Sequence, residues 1–395
     1  MTDYERGRKI LDQAEALSGQ IVEWRRDFHA HPELGFQEVR TAARVADSLR
    51  AMGLSPRTQV GRTGVVADIG AGKPVVAIRA DMDALPLQEA NDVPYASTVP
   101  NVMHACGHDS HTAMLLGVAH ILTQLDKRPA GTIRLLFQPC EETDDGEKSG
   151  AQRMMDDGAM DGVERVIALH VSSDHPAGQL VIEPGFITAN VDNFFATIIG
   201  RGTHGAHPDL GVDPIVLLAQ VINAVQTIRS RRIDPLRPAV VTIGQVHSGL
   251  GENIVPADAT LSGTLRSYDD ETRGRLIEEL ERALSVTRAL GGDYQLRIVR
   301  GCPSTNNDAS VADVIRKTMA DVVGEDAIAS QPPSMGGEDF AWMTRAAPGA
   351  MFMLGAKKDT ISRPHHNPLF DLDESVFSRG SAILAESALR LLEAI

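Results

Sequence analysis

Two short stretches of this chain combine the residue types that metal-assisted hydrolysis requires. One is Met103-His-Ala-Cys-Gly-His-Asp109; the other is Gln138-Pro-Cys-Glu-Glu142, which follows an apolar run. Together they supply a thiol, imidazoles and paired carboxylates. Cys106 and His108 stand two residues apart, and both side chains can turn toward one point if Gly107 lets the backbone bend. A soft thiolate beside imidazole and carboxylate suits Zn²⁺ or a neighbouring transition ion better than Mg²⁺ or Ca²⁺. Of Glu141 and Glu142, one can ligate while the other stays free as a base. That division of labour separates a catalytic metal site from a structural one.

Other candidates surround this pair. His170 closes the apolar Val166-Ile-Ala-Leu169. In Arg79-Ala-Asp-Met-Asp-Ala-Leu-Pro86, Asp81 and Asp83 face the same side of an extended chain. Asp83 can orient a ligating imidazole from behind, whereas Asp81 is open to a helix N-cap role as much as to one in the site. Near the C-terminus, His365-His366-Asn-Pro368 offers a loop imidazole, and spacing does not choose between the two. Gly200-Arg-Gly-Thr-His-Gly-Ala-His-Pro208 presents His204 and His207 among glycines, a composition that fits close approach to a ligand and plain turn chemistry alike. Asn253 and Arg266 can clamp a substrate carboxylate, though either alone has an equally good structural explanation.

The elements that must position these groups read as α/β in the first half. Helices are expected near 5–28, 37–52, Thr112–Leu125 and 150–157, and strands at Val65–Ile69, Val75–Arg79, Thr132–Phe137 and Arg165–Val171. Alternation of this kind implies a mostly parallel sheet flanked by helices, with ligands gathering at the carboxyl ends of strands. Asp81 and Asp83, Glu141 and Glu142, and His170 all fall at such ends. From about residue 189 the order becomes βαββαβ. Its strands are Val191–Gly200, Ala239–Val246, Ala259–Arg266 and Tyr294–Val299, with helices Asp213–Arg231 and Glu271–Leu290. That is the order of a ferredoxin-like α+β unit inserted into the first domain. The expected organisation is 1–188, then 189–301 as the insert, then 302–395 completing the first domain.

At 395 residues the chain exceeds one comfortable core. Its 43% hydrophobic and 23% charged residues place it among ordered globular proteins. A net charge of -15 argues against nucleic acid or anionic membranes as partners, because both attract a basic face. The charged N-terminus lacks the apolar segment of a signal peptide, and no run reaches the roughly 20 residues of a membrane span. Three cysteines do not make a disulfide framework, so a reduced cytoplasm is the expected setting.

These motifs, in this order, resemble the metal-dependent aminoacylase and carboxypeptidase family, in the branch of hippurate and auxin-conjugate (indoleacetyl-amino acid) hydrolases. The resemblance runs nearly end to end, from Arg25-Arg-Asp-Phe-His-Ala-His-Pro-Glu-Leu-Gly-Phe36 through the two metal-site stretches, Ala168-Leu-His-Val171, His204-Gly-Ala-His-Pro208, Asn253-Ile-Val-Pro256 and Gly263-Thr-Leu-Arg266 to Gly337-Glu-Asp-Phe340 and His366-Asn-Pro-Leu-Phe370. It implies a di-zinc-peptidase-like catalytic domain and a smaller lid that makes a homodimer. It also implies that Cys106, His108, Glu142, His170 and His366 hold one or two divalent ions (Zn, Mn, Co or Ni), with Glu141 as general base. His204 would reach the active site of the partner subunit, and Asn253 and Arg266 would recognise the substrate. The implied reaction is hydrolysis of an N-acyl amino acid to a carboxylic acid and an amino acid; a carboxypeptidase or dipeptidase is the nearest alternative. Two features depart from the family pattern. Cys140 places an oxidisable thiol where a small apolar residue is usual, and the acidic loop after Glu142 is longer.

Overall fold

The computed structural model of the protein describes residues 2–125 and 130–394. The chain divides into two units. The first comprises the chain up to Gly185 together with Asn306–Pro332 and the chain from Asp339 onward; the second comprises Phe186–Thr305 and Pro333–Glu338.

The first unit is built on an eight-stranded sheet. Its order is Arg57–Val60, Gly64–Ala71, Gly131–Gln138, Val75–Asp81, Arg165–Pro176, Gly349–Lys357, Leu180–Val181 and Ile328–Ala329. The four strands from Gly131–Gln138 to Gly349–Lys357 run parallel, and their flanking neighbours pair antiparallel. Val75–Asp81 is buried at every position, which explains why its first four residues, Val75-Val-Ala-Ile78, are apolar without alternation. The helix His108–Thr123 is buried except at His120 and Thr123, and it packs against both Val75–Asp81 and the buried helix Phe377–Glu393.

The second unit holds a four-stranded antiparallel sheet in the order Ala239–Ser248, Asp258–Ser267, Asn190–Ile199, Asp293–Arg300. Numbered along the chain this is 2-3-1-4, and with the helices Pro214–Arg231 and Asp270–Leu284 it is the ferredoxin-like arrangement. Residues 333–338 also belong to this unit, outside the expected 189–301. The Tyr268 hydroxyl donates to the Pro333 carbonyl, Arg266 donates to that of Met335, and the Ala189 N–H donates to that of Gly336.

Several element boundaries differ from expectation. The helix expected over 5–28 is two, Asp3–Ala16 and Ser18–Ala30, meeting at Leu17. The helix Glu271–Leu290 likewise divides into Asp270–Leu284 and Val286–Ala289. The strand carrying His170 does not end there but runs on to Pro176, because its register with Gly349–Lys357 continues through Ser172. The helix expected from Thr112 begins four residues earlier, at His108. Its first turn is polar, so hydrophobic periodicity does not reveal it.

Candidate metal centre

The centre is assembled at the carboxyl ends of the parallel strands. Gly107, at φ 95, takes the left-handed conformation that glycine tolerates and caps the helix His108–Thr123. This turn directs Cys106 and His108 toward one place. Cys106, His108 and His170 can offer ligand atoms that lie within 4.8 Å of one another, as can Cys106, Glu142 and His366, and also His108, Glu141 and Glu142. Cys106 Sγ lies 3.6 Å from His170 Nε2. His366 Nε2 lies 3.1 Å from Glu142 Oε1. The structure therefore brings together all five expected ligands and Glu141.

Asp83 stands behind this cluster. Its Oδ1 and its backbone carbonyl lie 3.2 and 3.0 Å from His108 Nδ1, and Oδ2 accepts the Glu142 N–H at 3.0 Å. With Nδ1 so occupied, His108 presents Nε2 to the cluster. That atom is buried and has no hydrogen-bond partner, and the buried Glu142 Oε1 lies 3.9 Å from it, with His366 Nε2 at 3.1 Å from the same oxygen. An orphaned buried imidazole nitrogen converging with a carboxylate and a thiol fits a divalent transition ion better than it fits a closed polar core. Burial, reinforced by the Glu142 carboxylate, pushes the Cys106 thiol well above its ordinary range. A cation among the same atoms reverses that direction.

His366 takes a left-handed φ of 61, and its N–H donates to the Ala105 carbonyl, which fixes it beside the Cys106 turn. His365 faces away. Its Nε2 lies 3.5 Å from the Ser173 N–H, its ring packs 5.0 Å from that of Phe370, and burial pushes its pKa down to about 3.

Asp81 is not a helix cap. Its Oδ2 accepts from Arg79 at 2.6 Å and its Oδ1 lies 2.6 Å from His111 Nδ1. His111 Nε2 accepts the Val171 N–H at 3.0 Å, so the ring is neutral and donates through Nδ1 to Asp81. Burial pushes this imidazole down to about 4. Although His111 stands among ligand-type residues, both its nitrogens are occupied in joining two strands. Asp339 plays a similar tying part, accepting from Arg79, from Gln138 and from the Ala151 N–H at 2.8–3.0 Å. Its own N–H lies 3.4 Å from Glu141 Oε1. Neither His111 nor Asp339 stood out in the sequence, where each reads as part of a longer motif. The Arg25–His29 stretch is explained too, since Arg25 Nε and His29 Nδ1 lie 2.9 and 2.7 Å from Asp109 Oδ2.

Cys140 is not the oxidisable thiol expected. It is fully buried, Sγ lies 3.2 Å from Thr143 Oγ1, and burial pushes its pKa up to about 12, which leaves little thiolate to react. The longer acidic loop is held by Arg62 and Arg153 on Asp145.

The remaining expected residues lie in the second unit. His204 is exposed, with Nδ1 accepting the Ala206 N–H at 3.0 Å. Asn253 is exposed beside it, its carbonyl accepting the Gly205 N–H. Arg266 is half-buried and donates to the Met335 carbonyl at 2.8 Å.

Residues 77–390, which contain the five candidate ligands with Asp83, Glu141, His204, Asn253 and Arg266, match the profile of peptidase family M20/M25/M40. The chain belongs to this family. It is 38% identical to thermostable carboxypeptidase 2 of Saccharolobus solfataricus, an alignment covering 97% of this chain and 98% of the relative. It is 35% identical to an N-acetylcysteine deacetylase of Bacillus subtilis, over 96% and 99%. Among solved structures, a dinuclear metal-binding M20 peptidase of Bacillus subtilis superposes with a TM-score of 0.84 at 33% identity, covering 96% of this chain and 99% of that one. As a member of the M20 family the chain is a hydrolase. Among its described residues, no helix is long and apolar enough to cross a membrane.

Proposed function

We propose that this M20 hydrolase cleaves the amide bond of N-acyl amino acids, releasing a carboxylic acid and a free amino acid. The observation that carries the reading is the adjacent pair Glu141 and Glu142. Glu142 Oε1 is turned into the ligand cluster, while Glu141 keeps a second carboxylate within reach of it.

Cys106, His108, Glu142, His170 and His366 would hold one or two ions of Zn, Mn, Co or Ni. The solved relative described as dinuclear supports two. A bound divalent cation lowers the pKa of water from about 15.7 toward 7 and polarises a carbonyl. Glu141 takes the proton of the water that attacks the amide carbon, then returns it to the nitrogen as the C–N bond breaks. Asp83 keeps His108 in one tautomer throughout. His204, reaching the site of a partner subunit, would donate to the developing oxyanion, worth roughly 3–4 kcal/mol for a well-placed donor. Asn253 and Arg266 would hold the substrate carboxylate. The homodimer rests on the family resemblance, and the cytoplasmic setting on the three free thiols.

A carboxypeptidase is the second reading, favoured by the Saccharolobus relative. The test is amino-acid release from N-acetyl, N-benzoyl and N-indoleacetyl amino acids and from peptides, using protein stripped by chelator and reloaded with each metal in turn. Release from acyl amino acids only after reloading supports the proposal. Exclusive cleavage of peptides replaces it with the second reading.

A further inference from the structure

Glu38 stands at the N-terminus of the helix Val39–Ala51, yet its side chain does not cap it. The first-turn N–H groups of Arg40 and Thr41 are taken by the Glu33 carboxylate at 3.0 and 2.8 Å. Glu38 is thereby free to reach elsewhere. Its carboxylate is buried; Oε1 accepts the Cys140 N–H at 2.8 Å and Oε2 accepts the Thr63 hydroxyl at 2.5 Å.

Cys140 is an unusual residue to grip. Its φ of 48 is left-handed, a conformation that costs a residue with a Cβ of order 1 kcal/mol or more. The surroundings enforce it. The Gly150 N–H takes the Cys140 carbonyl at 2.9 Å, and a Cβ at Gly150 would stand 1.5 Å from the Pro139 carbonyl oxygen, so no other residue fits that approach. The thiol is packed and contacts Thr143 Oγ1. Both polar backbone groups and the side chain of Cys140 are therefore fixed, and the next two residues are Glu141 and Glu142.

We infer that Glu38 is a positioning residue for catalysis: by holding the Cys140 peptide in its left-handed turn, it sets the direction in which Glu141 leaves the strand end. This rests on the reading of Glu141 as the base. Keeping a carboxylate buried here is itself costly, since burial and then the Asp83 carboxylate push Glu38 up to about 7. A glutamate serving only to fill space would be replaced by an apolar residue without that cost.

The test compares Glu38→Ala, Glu38→Gln and Glu38→Asp with the parent and Glu141→Ala. All are reloaded with Mn²⁺ and assayed on an N-acetyl amino acid, with bound metal measured directly. Glutamine can accept the Cys140 N–H and donate to Thr63, whereas aspartate keeps the charge but is one methylene short. The grip predicts that Ala and Asp lose about ten- to a hundred-fold in kcat, with KM and metal content near the parent values, and that Gln retains most activity. If Ala does not fold, the Gln and Asp pair carries the same comparison. Parental kcat in Ala or Asp, activity in Asp above that in Gln, or loss of metal in step with loss of kcat overturns the inference. Retained activity in Glu141→Ala overturns the base assignment and the inference with it. A dead Glu141→Ala beside a fully active Glu38→Ala overturns the inference alone.

Discussion

Asp83 Oδ1 stands 3.2 Å from His108 Nδ1, and the other oxygen of the same carboxylate accepts the Glu142 N–H. One buried side chain thus sets the ring of one candidate ligand and the backbone of another. Carboxylates placed this way fix the tautomer and raise the basicity of a ligating imidazole. Asp83→Ala should weaken metal binding by about 10- to 100-fold, read by competition with a chromogenic chelator. Asp83→Asn, which still accepts through one oxygen, should fall between. Unchanged affinity in both variants would show that the Asp83 backbone carbonyl and packing suffice to orient His108.

His111 joins Asp81 to Val171 through its two ring nitrogens. Removing the ring leaves a buried carboxylate oxygen and a buried N–H without their partner, at about 1–3 kcal/mol each. His111→Ala should therefore lower unfolding stability by about 2–5 kcal/mol in urea titrations of the metal-free protein. His111→Gln, able to donate and accept, should recover part of it. A loss under about 0.5 kcal/mol, the range of an ordinary surface substitution, would mean that water replaces both contacts.

The contrast between these residues shows what the sequence could express. Cys106, His108, Glu141 and Glu142 were legible because their chemistry is concentrated in short stretches after apolar runs, and the parallel sheet explains why strand ends matter. The choice of His366 over His365 was not in the spacing; it depends on a left-handed backbone at His366 and on which ring faces Glu142. His111 was hidden because the apolar periodicity of its helix begins only at Thr112. Glu38 was invisible for a different reason: its partner lies 102 residues away, and a glutamate in the first turn of an expected helix reads as an ordinary exposed residue. His170 reads as a strand end because it closes the apolar run Val166–Leu169, whereas pairing with Gly349–Lys357 extends the strand through the polar residues that follow.

Glu38 also carries a pH signature. Burial and the Asp83 carboxylate raise it from 4.5 to about 7. Between those values the folded chain keeps a proton that the unfolded chain releases, so the contribution of Glu38 to stability falls as pH rises from about 4.5 to 7 and is constant above. Glu38→Gln cannot titrate. Relative to the parent, it should gain up to about 3 kcal/mol between pH 4.5 and pH 8, measured as the difference between urea unfolding curves. Parallel pH dependence in the two proteins would show that Glu38 ionises normally.

The proposed use of His204 across a dimer makes a prediction that no single variant can test. His204→Ala and Glu141→Ala should each be nearly inactive. If His204 acts within its own chain, mixing the two inactive proteins yields nothing, because every site lacks one group. If it acts on the partner, a mixed dimer contains one site with the Glu141 of the first chain and the His204 of the second, and one site lacking both. Random exchange makes half of the dimers mixed, so activity should return to about a quarter of the parental value. Dissociation in mild denaturant, mixing, refolding with metal and assay on an N-acetyl amino acid reads this directly, with each inactive protein carried through alone as the control. Activity that stays at the level of those controls, in a sample shown by a tag on one chain to contain mixed dimers, places His204 in its own subunit's chemistry or outside catalysis.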